Sequence, residues 1–280
     1  MSTRRSATAA VSLLLAVLMT VLATAASASA TPGSPRPRSL EDLVDSLVKK
    51  QLDEYRIPGA AVVVVSGGRQ VLAKGYGVAD IDRNTRVDAR RTGFFMGSDA
   101  KVFTAMAVLQ QVERKKLDLR ADVNRYLTRH KAGFTIKDSY PGRPVTVRDL
   151  LMHTAGFDNS IIGRATAHPE DAERLRDSLA EHQPKRVRPP GKVSSYDNYG
   201  VALAGYLVEL TSGEHFDAYV GRHILQPLGM TRTSFAQPHP AAIATERAGG
   251  YRPDGKRQVP AEGQYGAWTP TGAAAVTTAT

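Results

Sequence analysis

Ser98-Asp99-Ala100-Lys101 follows Gly97 at the start of a strongly apolar stretch, so a hydroxyl and an amine stand three residues apart where a helix should begin. At that spacing both side chains share one face. Unpaired N–H groups at a helix start favour negative charge developing on the serine, and a nearby amine can take its proton once desolvation lowers the amine's basicity. In outline this is a Ser-Lys nucleophile. The bare pattern is common, because 17 serines and 11 lysines in 280 residues give about 0.7 matches by chance, and Ser46-Leu47-Val48-Lys49 is a second one. Ser46 and Lys49 fall on the polar side of their segment, away from Leu43, Val44 and Leu47, and read as solvated surface. Taken alone, Ser98 could equally be a helix cap and Lys101 a solvated side chain.

Tyr196-Asp197-Asn198 is the one Tyr-x-Asn in the chain, against about 0.14 expected from ten Tyr and four Asn. It follows Pro189-Pro190-Gly191 and opens a helical pattern. A loop at a helix start can hold a phenol near a Ser-Lys pair and offer an amide to a substrate amide. The plainer alternative makes Asp197 or Asn198 a cap and Tyr196 a packed aromatic.

The elements that must position these groups are legible in outline. Ser39 can cap a helix, with Asp42 three residues on, and Leu40, Leu43, Val44, Leu47, Val48, Leu52 and Tyr55 trace one apolar face up to Pro58-Gly59. Ala60 to Ser66 and Gln70 to Val78 read as two strands joined at Gly67-Gly68, a hairpin that needs further strands for stability. Helical spacing recurs over Ala100 to Val112, Val147 to Met152, Glu170 to Ala180, Val201 to Leu210 and Phe216 to Leu225. This order predicts an α+β body.

Composition narrows the chemistry. A chain of 280 residues with 42% hydrophobic and 23% charged residues lies in the ordinary globular range. Zero cysteines exclude disulfides, thiolate zinc sites and a cysteine nucleophile. The net charge of +10 falls to +8 when Arg4 and Arg5 are set aside, and its basic groups are dispersed without aromatic interleaving, which argues against nucleic-acid partners. His130, His153, His168, His182, His215, His223 and His239 show no metal-ligand spacing, Gly75-Tyr76-Gly77 lacks the context of a phosphate loop, and there is no Gly-x-Ser-x-Gly elbow. No metal or organic cofactor is expected.

Residues 1–30 read as a secretory signal: Arg4-Arg5, an apolar stretch from Val11 to Ala26, then Ala26-Ser27-Ala28 or Ala28-Ser29-Ala30 for cleavage. Residues 31–38, with three prolines, read as a linker. No later segment approaches 18 consecutive apolar residues, so a secreted or envelope location with no stable membrane span after cleavage is expected.

Three strings together carry a resemblance: Phe94-Phe95-Met96-Gly97-Ser98-Asp99-Ala100-Lys101-Val102-Phe103-Thr104-Ala105, Leu150-Leu151-Met152-His153-Thr154-Ala155-Gly156-Phe157, and Pro190-Gly191 with Ser195-Tyr196-Asp197-Asn198-Tyr199-Gly200. In order and spacing the chain resembles the class C β-lactamase and D-alanyl-D-alanine carboxypeptidase superfamily of serine hydrolases, from about Ser39 to Thr280. The resemblance implies a β-lactamase-like fold over residues 39–280, an antiparallel sheet flanked by helices plus a mostly helical subdomain over about 100–230. It also implies that Ser98 is acylated, that Lys101 and Tyr196 share general-base and general-acid work, and that Asn198 positions the substrate. The substrate class is an amide or ester, small molecule or peptide, with a peptidoglycan stem peptide among the candidates.

Departures from the family pattern set further expectations. No Lys-Thr-Gly or His-Thr-Gly follows Asn198, and Trp268 to Thr280 resembles a segment that enters a further helix. On that resemblance the C-terminal sheet strands and one oxyanion donor are missing from this chain, which alone is expected to be inactive and poorly folded. His153 is expected to be a buried, hydrogen-bonded structural residue. The charge of Asp99 would favour protonated Lys101, and Asp197 is expected to face the surface. A second function class follows: a non-catalytic envelope protein of the same fold that binds cell-wall or other anionic ligands.

Overall fold

The computed structural model describes residues 39–158, 165–261, 265–273 and 275–280. The leader expected over residues 1–30 and the linker over 31–38 lie outside them. The chain divides into two units, Met1–Leu47 and Val48–Thr280. Helix α1, Leu40–Tyr55, runs across that division. Its first turn is capped by Ser39, whose Oγ accepts the Asp42 N–H at 3.1 Å. The apolar face expected for it exists in the pattern, yet none of its residues is buried.

Within the larger unit the hairpin forms as the alternation predicts. Strands β1 (Gly59–Ser66) and β2 (Arg69–Asp80) pair antiparallel from Gly59 opposite Gly77 to Ser66 opposite Arg69, with one irregularity between Val64 and Val65. Gly67 and Gly68 close it with φ of 57° and 72°, the left-handed pair that a tight hairpin turn requires. Strand β3 (Thr85–Arg86) adds to β2, so the sheet runs β1-β2-β3. Two further pairs stand apart from it: β4 (Phe94–Phe95) with β7 (Val276–Thr277), and β5 (Tyr251–Asp254) with β6 (Arg257–Pro260). The architecture is α+β with small antiparallel sheets and a helical body, as expected.

The helices are α2 (Lys101–Glu113), α3 (Val123–Arg129), α4 (Val147–Leu151), α5 (Leu175–Glu181), α6 (Asn198–Ser212), α7 (Phe216–Val220) and α8 (Ala241–Ala244). Helix α6 is the axis of the body. Every residue from Tyr199 to Val208 is buried, because α2, α3, α4, α5 and α7 all pack on it. A helix apolar all round can only be satisfied in that position.

Two helices differ from their sequence patterns. Residues 170–180 do not form one helix: a short 3₁₀ turn, Pro169–Asp171, closes on itself, Ala172 and Arg174 are extended, and α5 begins at Leu175. Of that stretch only Leu175, Ser178 and Leu179 reach the core, so the helix forms where burial offsets the cost of ordering. After Val220 the chain widens into a π turn over Gly221–Leu225 that brings Ile224 and Leu225 inward. The short helix α3 escapes a periodicity argument because only Val123, Tyr126 and Leu127 carry its apolar face; Asp122, which accepts the Asn124 N–H at 2.9 Å, is its start signal.

This placement predicts unequal costs of truncation. Leu203→Ala, at a side chain with no exposed surface, should lose about 2–5 kcal/mol. Val65→Ser, at a residue 62% exposed, should stay within about 0.5 kcal/mol of the unaltered chain. Urea midpoints measure both, and equal shifts would contradict a core centred on α6.

Candidate active site

The turn that carries Ser98 is suspended between two elements. Upstream, β4 pairs with β7, and the Met96 N–H donates to the Ala275 carbonyl at 2.8 Å. Downstream, Lys101 opens α2. Between them Gly97–Ala100 is a 3₁₀ turn, so Ser98 lies just ahead of the α-helix and not within its first turn. Side chains three apart eclipse one another in 3₁₀ geometry, which stacks Ser98 and Lys101 more closely than an α-turn would. Lys101 Nζ donates to Ser98 Oγ at 3.0 Å and to the Thr271 carbonyl at 3.0 Å. As an early N–H of its turn, the Ser98 amide has no intrahelical acceptor and is a donor available to a developing oxyanion.

Thr271 belongs to a second 3₁₀ turn, Thr269–Thr271, that the sequence reading did not connect with the site. It is clamped from several directions. Thr104 Oγ1 of α2 donates to the Pro270 carbonyl at 2.6 Å, Thr271 Oγ1 to the Trp268 carbonyl at 2.8 Å, and Trp268 Nε1 to Ser178 Oγ at 3.1 Å. Gly272 follows with φ of 104° and lies directly against the Gly97 carbonyl, where a Cβ would collide. The signal was present as Pro270-Thr271-Gly272, a turn signature, but its contact with Gly97 is long-range and leaves no local pattern.

Tyr196 arrives on an extended strap. The Asp158, Val187, Gly191 and Ser195 N–H groups donate to the carbonyls of Lys185, Gly156, Thr154 and His153 at 2.8, 2.8, 2.9 and 2.8 Å, zipping residues 185–195 against the loop after α4. The phenol oxygen then stands 2.7 Å from Ser98 Oγ and donates to Asn198 Oδ1 at 3.4 Å. Asn198 is the first residue of α6, so the best-buried helix fixes its position. Ser98, Lys101, Tyr196 and Asn198, expected from their motifs to work together, are brought into one chain of contacts. Ser98 and Tyr196 are both exposed on the solvent side, Tyr196 at 46%, which leaves the site open to a ligand.

Two expectations are corrected here. Asp197 does not face the surface: its side chain is 1% exposed, and its Oδ1 caps α6 by accepting the Gly200 N–H at 2.5 Å. Capping explains the burial, since a carboxylate at a helix start meets unpaired N–H groups and the positive end of the dipole. His153, by contrast, is only partly buried. Its side chain is 21% exposed, its Nδ1 accepts the Asp197 N–H at 3.3 Å, and its ring centroid lies 4.7 Å from that of Tyr196. Asp99 is exposed beside Ser98. Among the described residues Glu173, Glu181 and His182 stand close enough to share a metal ion, and none of them belongs to the serine site.

Comparison with known proteins agrees with the geometry. Residues 44–280 match the family model described as Beta-lactamase. The chain is 26% identical over 226 residues to Protein flp of Staphylococcus aureus (strain MRSA252), covering 80% of this chain and 44% of that protein. It is 31% identical over 217 residues to PbpX of Bacillus subtilis (strain 168), which is named as a penicillin-binding protein, covering 76% of this chain and 49% of that one. The chain thus spans about half the length of these relatives. Among solved structures, a class C β-lactamase superposes with a TM-score of 0.70 at 23% identity over 88% of this chain and 64% of its own.

The contact between Gly97 and Gly272 yields a controlled test. Gly272→Ala introduces both backbone strain and a collision under the nucleophile, whereas Gly142→Ala, at a φ of 73° with open space around it, introduces strain alone. The rate of fluorophosphonate labelling at Ser98 should fall about tenfold or more in the first variant and stay unchanged in the second. Equal labelling of the two would show that the Gly272 turn does not set the serine.

Proposed function

Because the chain belongs to the beta-lactamase family, we propose that it is a secreted serine hydrolase that forms an acyl-enzyme on Ser98 and cleaves an amide or ester. The observation that carries this reading is the hydroxyl of Ser98 set between Lys101 Nζ at 3.0 Å and the Tyr196 phenol at 2.7 Å. With Lys101 donating to Ser98 Oγ and Tyr196 donating to Asn198, the serine proton is left pointing at the phenol oxygen. That is the direction in which it must leave.

The chemistry follows from this polarity. Ser98 Oγ attacks the carbonyl carbon, and its proton passes to the Lys101–Tyr196 pair, which must be one proton short for the step. Lys101 Nζ lies 5.1 Å from the Tyr196 ring centroid, so the amine and the phenol border the serine hydroxyl together. The Ser98 N–H faces the charge that builds on the carbonyl oxygen. The pair then returns the proton to the departing nitrogen or oxygen as its bond to the acyl carbon breaks. Water attacks the acyl-enzyme by the same route in reverse and frees Ser98. Asn198, beside the phenol at the helix start, offers a donor and an acceptor to a substrate amide.

The substrate class draws on the relatives. PbpX is named for penicillin and the solved class C enzyme for β-lactams, both acyl donors with an amide carbonyl. A peptidoglycan stem peptide or a simple ester presents the same carbonyl to an open site. The secretory reading rests on residues 1–30, and no helix of the described residues is long and apolar enough to cross a membrane.

Turnover of a p-nitrophenyl ester by the full chain tests the proposal. Against the expectation, set by the missing third motif, that these 280 residues alone are inactive, the proposal predicts a burst of one nitrophenol per chain, then slower steady release, both abolished in Ser98→Ala. Turnover that survives Ser98→Ala would contradict it. A non-catalytic envelope-binding protein would show neither burst nor turnover.

A further inference from the structure

Tyr196 has the role most sensitive to position, yet its side chain is half exposed. The Ser195 N–H holds the backbone to the His153 carbonyl at 2.8 Å, but that bond does not fix the rotamer of the next side chain. A phenol that leaves its rotamer moves its oxygen by ångströms, far more than a proton transfer tolerates. Something must wall the ring.

The imidazole of His153 stands there, with ring centroids 4.7 Å apart and planes tilted by 37°. It is itself doubly bordered by Asp197. The Asp197 N–H donates to Nδ1 at 3.3 Å, which places the proton of the neutral ring on Nε2. Asp197 Oδ2, buried and without a hydrogen-bond partner among the described residues, lies 3.8 Å from the same Nδ1. The backbone of His153 is left-handed at φ 54°, a conformation that few side chains other than Asn, Asp and His accept readily.

We propose that His153 is a positioning residue for the hydrolase reaction: its imidazole, pinned by Asp197, holds the Tyr196 phenol within proton-transfer distance of Ser98. The inference rests on the function proposed above and assigns that site a fifth participant. Asp197 thereby links two tasks, capping α6 and orienting the imidazole. The residue between Tyr196 and Asn198 is therefore part of the geometry and not a spacer.

Two substitutions in the full chain separate the parts of this role. His153→Asn tolerates the left-handed backbone and keeps an acceptor for the Asp197 N–H but removes the ring. His153→Phe keeps a ring and removes the acceptor. With a p-nitrophenyl ester, His153→Asn should lower kcat about tenfold or more while KM stays within about twofold, and His153→Phe should recover part of the loss. In a Tyr196→Phe background, His153→Asn should cost nothing further, because the oxygen it positions is gone.

A kcat within about twofold of the unaltered chain in His153→Asn overturns the proposal. So does a loss that persists undiminished in the Tyr196→Phe background, or a His153→Asn chain that no longer shows a urea transition, since either makes His153 a general structural residue. If the unaltered chain shows no Ser98-dependent turnover, the hydrolase reading and this inference fall together. Ser98-dependent turnover that ignores His153 overturns this inference alone.

Discussion

One side-chain nitrogen ties the site together. Lys101 Nζ reaches back to Ser98, three residues before it, and across to Thr271, 170 residues after it. Each bond has a separate consequence. The first sets the polarity of the serine hydroxyl, and the second anchors a distant turn beneath the nucleophile. A lysine free in solvent would spend these donors on water, so the structure around it has to keep both acceptors in place. The clamped turn at Thr269–Thr271 and the close approach of Gly272 to the Gly97 carbonyl are the means of doing so.

Helix α6 and the loop after α4 supply the other half. The helix is buried along ten consecutive residues, which makes its N-terminus the most rigid place from which to present Asn198 and, through Asp197, the tyrosine strap. Burial of the Asp197 carboxylate follows from its capping bond, and the strap bonds carry that rigidity toward Tyr196. The hairpin contributes less order on its own: Val65 and Val71 are exposed at 62% and 51%, and β1 is an edge of the three-stranded sheet. Precision in this chain lies on the helical side of the site.

Residue type and spacing already indicated Ser98 with Lys101 and Tyr196 with Asn198, because each pair is local and each depends on helix periodicity. The hairpin and helices α2 and α6 were legible for the same reason. Thr271 and Gly272 were not, since their part in the site depends on contacts with residues far away in sequence. Strands β3, β4 and β7 have two residues each, too few to show an alternation. The burial of Asp197 and the partial exposure of His153 do not follow from either residue taken singly. Their placement arises from a bond between them, and no single-residue tendency contains it.

The central claim, that Lys101 and Tyr196 make Ser98 the reactive group, is tested most directly by locating a covalent adduct. After brief exposure of the full chain to a fluorophosphonate, tryptic mapping should find one adduct per chain on the peptide Thr92–Lys101. The same adduct should form about a hundredfold more slowly in Lys101→Met. An adduct on another serine, such as Ser46 of the second Ser-x-x-Lys, or labelling indifferent to the loss of Lys101, would contradict the account.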